Sequence, residues 1–362
     1  MILKKLLVFI TLLSSFICFA QYTAIPDSNF ENHLEQNGMG DGIPNNGLVL
    51  TANIENVDTL LVNSRGIHDL TGIEDFAALE LLNCAYNIIP VLDVSQNMNL
   101  WGLNCESSSV TELILPPTST LEIINCPENN LTELDVSHNP GLVQLYCFFN
   151  YLTSLNLTNN TVLELVFADH NEITGFLNTS QNLALTSLSV SYNDIAELDL
   201  TTNIALRSLG ASSNPILSLD TRNGNNEDIV SFVVTETTGE LDCILVDDAS
   251  ASYLDDWLVD PYITFVNNQA ECDALGVAAA TLQDFTMYPN PATSTVNINL
   301  PNQGFDGLVV TVANNLGQVL ERKEHLENTA VIPLDVSGYA AGVYFVTLKA
   351  GNDVSTKKLV VQ

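Results

Sequence analysis

Residues 142–160 read LVQLYCFFNYLTSLNLTNN, and their skeleton, LxxLxCxxNxLxxLxLxxN, recurs along the chain. The leucines that begin successive copies are 21 or 22 residues apart; they are Leu79, Leu100, Leu121, Leu142, Leu163, Leu185 and Leu206. Self-similarity at a period of roughly 20 to 50 residues is typical of stacked-coil architectures. We therefore predict a solenoid over residues 79–224 of the 362-residue chain.

The first half of each copy alternates between inward and outward residues, which is the pattern of a half-buried strand. Leu142, Leu145 and Cys147 are predicted to face the interior, and Gln144 and Tyr146 the outside. The second half of a copy has a similar shape, so the sequence alone leaves open which half forms the main sheet. We assign the concave sheet to the first half and a short extended or helical return on the convex side to the second.

An asparagine occupies the same place in six copies; these residues are Asn87, Asn129, Asn150, Asn171, Asn193 and Asn214. One copy has Ser108 there instead. A coil that turns sharply leaves backbone N–H and C=O groups facing the core, and an amide side chain both donates and accepts hydrogen bonds. We predict that the asparagines stack as a structural ladder rather than bind a ligand.

The skeleton resembles the leucine-rich repeat family, and the asparagine is its most specific position. The resemblance implies a β-rich solenoid of parallel strands with few helices, and the open ends of such a solenoid need caps. PDSNFENHLEQ at 26–36 predicts a helical N-terminal cap, with Ser28 and Glu31 as a capping box. We expect the N-terminal cap and lead-in repeats at 21–78 and the C-terminal cap at 225–272.

The net charge of −33 is unevenly spread. Of the 43 acidic residues, seven lie within 284–362, which leaves 36 within 21–283, where the only basic residues are Arg65, Arg207 and Arg222. Such a surface repels the phosphates of nucleic acid and anionic lipid. We therefore predict no nucleic-acid partner.

The first twenty residues predict the compartment. Lys4 and Lys5 precede an apolar run at 6–19, which is typical of a secretory signal peptide cleaved after Ala20. The run is too short for a stable membrane span, and no later segment is long and apolar enough to be one. A lipoprotein attached through Cys18 is the alternative to cleavage at Ala20.

The seven cysteines fall into separate groups. Four occupy one position in consecutive copies, and later copies have alanine or valine there; the four are Cys84, Cys105, Cys126 and Cys147. A site that accepts alanine, valine or cysteine is small, buried and apolar, so we predict inert thiols. Stacked coils place these sulfurs in a line rather than around a point, so no metal site is predicted. Cys243 and Cys272 follow the repeats, and we predict that they form a disulfide.

Short alternating segments separated by turn residues fill the end of the chain, for example TVNINL at 295–300 and GVYFVTLKAG at 342–351. Five to seven such strands in about 80 residues predict a small antiparallel, immunoglobulin-like sandwich at 284–362. The weakly patterned residues 273–283 predict a linker before it.

Three strings in this segment resemble the type A C-terminal sorting domain of type IX secretion substrates in the Bacteroidetes. They are FTMYPNPATS at 285–294, LDVSGYAAGVYFVTL at 334–348 and KKLVVQ at 357–362. The resemblance implies that the type IX secretion machinery is a partner. It also implies that the protein is secreted or displayed on the outer surface of a Gram-negative bacterium of this phylum. An ordinary accessory sandwich domain is the alternative.

Aromatic residues concentrate at the outward positions of the middle copies. The candidate binding residues on the concave face are Tyr146, Phe148, Phe149, Phe167, Asp169, His170 and Tyr192. Exposed aromatic clusters are typical of contact surfaces, so we predict a protein or glycan ligand. The alternative is that the rings only pack on one another.

The sequence offers no catalytic or cofactor-binding constellation. The five histidines, His33, His68, His138, His170 and His325, lie in different modules without metal-ligand spacing. We therefore predict a monomeric, non-enzymatic recognition or adhesion protein without a cofactor. The alternatives are a surface enzyme with an unrecognised site and a structural spacer.

Overall fold

The structure, a computed structural model, describes residues 21–237, 241–277, 285–300, 308–315, 317–325, 331–350 and 353–362. The predicted signal peptide and the predicted linker beyond Val277 lie outside these residues. The chain forms two compact units, Met1–Asn267 and Asn268–Gln362. Each unit is described by itself.

A parallel ten-stranded sheet runs the length of the first unit, with one short strand from each coil. Its strands are Thr59–Leu61, Leu81–Asn83, Gly102–Asn104, Ile123–Asn125, Gln144–Tyr146, Leu165–Phe167, Ser187–Ser189, Ser208–Gly210, Ser231–Val234 and Leu258–Val259. The register places equivalent residues side by side, so that Leu145 pairs with Ile124 and with Val166. The first half of the repeat therefore forms the main sheet, as predicted.

The second half of the repeat is extended rather than helical, and it forms two smaller parallel sheets. Five strands form one of them: Thr174–Phe176, Asp194–Asp199, Ser218–Asp220, Cys243–Leu245 and Thr264–Val266. Two form the other: Val91–Asp93 and Glu112–Ile114. The repeat leucines and Cys147 are fully buried between these layers, whereas Gln144 and Tyr146 are partly exposed.

Asn129 shows how the coils are joined at the turn after the main sheet. Its Oδ1 accepts hydrogen bonds from the backbone N–H groups of Ser108 and Val110, at 3.0 and 2.8 Å. Its Nδ2 donates to the carbonyls of Cys105 in the preceding coil and Cys126 in its own coil, at 2.9 and 3.1 Å. The amide therefore satisfies buried backbone groups of two coils at once.

The other ladder asparagines repeat this pattern. In each, Oδ1 accepts from a backbone N–H of the preceding coil, and Nδ2 donates to carbonyls of the preceding coil and of its own coil. They are Asn87, Asn150, Asn171, Asn193 and Asn214. Ser108 partly replaces the missing amide, because its hydroxyl donates to the carbonyls of Cys84 and Glu106. The ladder is thus continuous through the irregular copy.

A second asparagine ladder, which was not predicted from the sequence, lies at the other end of the coils. Its members are Asn97, Asn139, Asn160, Asn182, Asn203 and Asn223, and all are buried. Each donates to carbonyls of the preceding coil, as Asn160 does to Val136 and Asn139 at 2.9 and 2.8 Å. The recurring asparagine at the end of the second half-repeat was the available signal.

The first unit begins with a cap. Helix Ser28–Gln36 buries Phe30 and Leu34 against the first coils, and Phe30 stacks on Phe76 at 6.2 Å. The predicted capping box is wrong: Asp27 is the N-cap residue, and its Oδ1 accepts from the N–H groups of the next turn. A carboxylate one position earlier reaches these N–H groups, so Ser28 becomes the first helical residue.

The remaining helices of the described residues are short. They are Thr51–Ile54, Gln269–Val277 and the 3-10 helices Ile73–Asp75, Asn226–Asp228 and Ser252–Asp256. An antiparallel pair, Tyr22–Ala24 with Leu48–Leu50, completes the front cap. At the back, Trp257 stacks on Phe232 at 3.8 Å and is buried.

The two units divide after Asn267. Helix Gln269–Val277 occupies the beginning of the predicted linker, and the domain bounds stay a prediction. The run of small residues did not predict a helix because its hydrophobic pattern is weak.

The second unit contains two antiparallel sheets around a separate core. One has the strands Thr286–Tyr288, Thr295–Asn299 and Val331–Asp335, and the other has Val319–His325, Leu308–Asn314, Gly342–Ala350 and Asp353–Val361. Val296, Val310, Val346 and Leu359 are among the core residues. The predicted antiparallel sandwich is confirmed.

We predict that Asn129→Ala lowers the free energy of unfolding by roughly 1–3 kcal/mol, because buried backbone groups lose their partners. Chemical denaturation of the full chain measures this change. Asn130→Ala is the matched control, since Asn130 is adjacent, exposed and without a side-chain hydrogen bond within the described residues. Equal midpoints for the two variants would contradict a structural role for the ladder.

Candidate functional site

The aromatic candidates lie in the middle of the ten-stranded sheet. Tyr146 ends strand Gln144–Tyr146, and Phe167 occupies the same register position on the next strand. Their rings stack with centroids 5.3 Å apart and planes 13° apart. Phe148 follows two residues after Tyr146 and is also partly exposed. The strand register therefore places these three rings on the outer face of the sheet.

A second stack lies at the turn that follows the sheet. Phe149 and His170 have ring centroids 4.2 Å apart, and His170 and Tyr192 are also 4.2 Å apart. The three rings are nearly parallel, with interplanar angles of 11° and 8°. Phe148 meets Phe149 edge-on at 5.9 Å and joins this stack to the sheet face. We call the six residues Tyr146, Phe148, Phe149, Phe167, His170 and Tyr192 the aromatic patch.

The rings of the turn stack are aligned because their backbones adopt the same unusual conformation. Phe149, His170 and Tyr192 have φ values of 52°, 53° and 57°, in the left-handed region that non-glycine residues seldom adopt. The same conformation recurs one position before the ladder residue in other coils, at Tyr86, Ser107, Glu128 and Ser213. We call this series the left-handed column.

Inter-coil hydrogen bonds hold the left-handed column in place. The N–H of Phe149 donates to the carbonyl of Asp169 at 2.9 Å, and that of His170 donates to Ser191 at 2.9 Å. The next residue in each case is a ladder asparagine. Backbone bonds and the buried amide together fix the turn, so the side chains of the column project outward. About half of the Phe149 and Tyr192 side chains remains exposed, at 49% and 50%.

The carboxylate of Asp169 is hydrogen-bonded to the next coil. Its Oδ1 accepts from the hydroxyl of Ser189 at 2.7 Å and from the N–H of Ser191 at 3.0 Å. It makes no hydrogen bond with His170 in the described part of the chain. The two neighbours are therefore not arranged as an acid–base dyad.

In the described residues, no three or more His, Cys, Asp or Glu side chains are close enough to hold a metal ion. Cys243 and Cys272 are each disulfide-bonded, and their pairing with one another stays our prediction. The four cysteines of the repeats, which we call the ladder cysteines, are free thiols and fully buried; they are Cys84, Cys105, Cys126 and Cys147. Burial raises the pKa of the Cys105 and Cys147 thiols to about 12 and raises those of Cys84 and Cys126.

Residues 286–362 match the family model described as secretion system C-terminal sorting domain. The sorting domain predicted from the three C-terminal strings is confirmed for this segment. No curated protein sequence matches the chain.

Among solved structures, the chain is similar to the functional domain of InlJ from Listeria monocytogenes, which includes a cysteine ladder. The identity is 20%, the TM-score is 0.37, and the match covers 95% of this chain and 99% of that chain. An internalin, inlF, from the same species has 18% identity and a TM-score of 0.47 over 67% of this chain and 76% of that chain. A leucine-rich repeat protein of Leptospira interrogans has 16% identity and a TM-score of 0.32, covering 57% and 72%.

The repeat skeleton, the stacked parallel coils and the asparagine ladder define a leucine-rich repeat solenoid. The chain is a surface or secreted leucine-rich repeat protein that carries a type IX secretion sorting domain at its C-terminal end. Within the described residues, no helix has the length and apolar character that a bilayer crossing requires.

We predict that the ladder cysteines resist alkylation in the native protein at mildly alkaline pH, because thiolate is the reactive form and burial keeps these thiols protonated. Mass-spectrometric mapping after iodoacetamide treatment should find Cys84, Cys105, Cys126 and Cys147 unmodified. The same residues should be fully modified in concentrated guanidinium chloride, which is the internal control. Rapid native labelling of any one of them would show that the coils open at that position.

Proposed function

We propose that the protein is a non-enzymatic recognition or adhesion module at the bacterial cell surface. Its sorting domain delivers it through the type IX secretion machinery of a Gram-negative Bacteroidetes cell, and its solenoid binds an extracellular protein or glycan as a monomer. The aromatic patch is the observation that supports this proposal most strongly.

The patch has the composition of a binding surface. Aromatic side chains offer large apolar area at a low cost in conformational entropy, and they dominate the binding energy of many interfaces. Here the rings of Phe149 and Tyr192 are about half-exposed and the other four are partly exposed. The coil register holds the stacked rings in fixed orientations. A preorganised surface loses little entropy on binding, which favours affinity. The candidate binding residues are therefore Tyr146, Phe148, Phe149, Phe167, Asp169, His170 and Tyr192, with Asp169 as a positioning residue for the neighbouring coil.

The proposal of a non-enzymatic protein is supported by the environment of the ionisable residues. Catalysis of acyl or glycosyl transfer needs a nucleophile or acid within hydrogen-bond reach of a second group. His170 is stacked between two rings, and Asp169 bonds to backbone and hydroxyl groups of the next coil. Neither residue is arranged to move a proton for the other.

We predict that the triple variant Tyr146→Ser, Phe148→Ser and Phe167→Ser loses binding to its surface partner while the solenoid stays folded. Binding is measured on arrays of immobilised glycans and extracellular proteins, and folding by thermal unfolding. Some loss of melting temperature is expected because these side chains are partly buried.

The matched control removes three exposed apolar residues from turns outside the sheet, by Val162→Ser, Leu183→Ser and Ile204→Ser. This control should bind as the parent does. If the aromatic variant binds every array partner with parental affinity, the rings of the patch only pack on one another and the partners are recognised elsewhere on the solenoid. Turnover of any array substrate would contradict the proposal of a non-enzymatic protein.

We predict that deletion of Phe285–Gln362 prevents export, because this segment carries the sorting signal. In a Bacteroidetes host with type IX secretion, fractionation should find the truncated protein retained in the periplasm. In the converse experiment, residues 273–362 are fused to a periplasmic reporter and should carry it outside. Continued arrival of the truncated protein at the cell surface would refute the export role.

A further inference from the structure

A groove beside the aromatic patch has an unusual lining. It lies on the outer face of the ten-stranded sheet and has a volume of about 440 Å³, within the roughly 300–1,000 Å³ range of small-ligand sites. Leu81 and Ile123 form its apolar floor, and Trp101 and Tyr146 line it as well. We call it the Trp101 groove.

Gly102 is one of the residues that line the groove. It lies between Leu81 and Ile123 in the sheet register, at a position where most other coils carry a side chain. A Cβ atom added at Gly102 would come within 2.8 Å of Cδ1 of Leu81. The leucine side chain therefore leans into the space that a side chain at residue 102 would fill. A larger residue at this single position would fill the groove.

The polar groups of the groove are amides. Asn104 and Asn125 occupy equivalent register positions on neighbouring strands, and both are partly exposed. Oδ1 of Asn104 accepts from the N–H of Glu106 at 3.0 Å. Within the described residues, Nδ2 of Asn104 and both polar side-chain atoms of Asn125 make no hydrogen bond. These amides offer donors and an acceptor to a ligand.

The groove carries no charged side chain, although the chain has 43 acidic residues. A cationic ligand would find no counter-charge within it, and an anionic ligand would meet the repulsion of the surrounding solenoid. The lining therefore selects a neutral ligand with one apolar face and a hydroxyl or amide rim. A pyranose ring has these properties, because its axial C–H groups pack on an aromatic face and its hydroxyls donate and accept.

We propose that the Trp101 groove is a subsite for one pyranose unit of a neutral oligosaccharide. The ring packs against the indole of Trp101 over the floor at Gly102, and its hydroxyls bond to Asn104 and Asn125. This proposal deepens the proposed function and rests on it, since it assigns a ligand class to part of the same sheet face.

Trp101 is a built-in reporter for the test. The chain has two tryptophans; Trp101 is 39% exposed, whereas Trp257 is 6% exposed and packed in the back cap. The purified full chain is titrated with cellohexaose, mannohexaose, chitohexaose and maltohexaose, with an oligogalacturonate as the charged comparator. At least one neutral hexaose should give a saturable change in fluorescence and protect Trp101 from acrylamide quenching.

Two variants identify the site. Gly102→Val, which fills the groove, and Asn125→Ala, which removes amide contacts without adding bulk, should each weaken binding of that hexaose at least about tenfold in Kd. Ser208→Val is the matched control, because Ser208 lies in the same register column away from the groove. It should bind as the parent does.

The outcomes separate this proposal from the proposed function. It is overturned if no neutral hexaose binds, if only the oligogalacturonate binds, or if Asn125→Ala and a folded Gly102→Val both keep parental affinity. If the aromatic-patch variant loses an array partner while Gly102→Val keeps it, the surface recognises that partner outside the groove. The recognition function then stands even if the hexaose titrations overturn the pyranose subsite.

Discussion

The structure depends on one interaction, the hydrogen bonding of a buried asparagine amide to the backbone of two successive coils. A chain that reverses direction within each coil exposes N–H and C=O groups to an apolar interior, and each group left unpaired would cost roughly 1–3 kcal/mol. Asn129 satisfies such groups in its own coil and in the coil before it. This amide therefore fixes the turn within its own coil and also joins it to the coil before. The second ladder joins coils at the opposite end on its donor side alone, as Asn160 does by donating to two carbonyls of the preceding coil.

The sequence predicted those parts of the fold that recur. The leucine period gave the solenoid, the alternation at Leu145 and Tyr146 gave the buried and outer faces, and the sorting strings gave the final sandwich. Features that occur only once in the chain were not predicted from the sequence. The N-cap at Asp27 and the helix Gln269–Val277 each depend on local geometry that no repetition reports. The second ladder does recur, but its asparagines follow a half-repeat whose place in the coil the sequence left open.

The sequence located the outward aromatic residues of the candidate site but not the way their rings are arranged. Outward positions identified Tyr146 and Phe167, because a strand alternates its side chains. The stack of Phe149, His170 and Tyr192 arises instead from a left-handed backbone conformation, which residue type alone does not indicate. The sequence also did not predict the Trp101 groove, because its lining comes from three neighbouring strands. Contacts between coils decide these features, and they join residues about twenty positions apart.

The left-handed column has an evolutionary consequence. Its backbone is held by main-chain hydrogen bonds and by the neighbouring asparagine, so the fold depends little on the side chain at these positions. Tyrosine, serine, glutamate, phenylalanine and histidine all occur there. Successive coils of a parallel sheet are spaced by about 4.8 Å. The column is thus an evenly spaced row of positions at which substitutions can change the binding specificity of the surface without destabilising the solenoid.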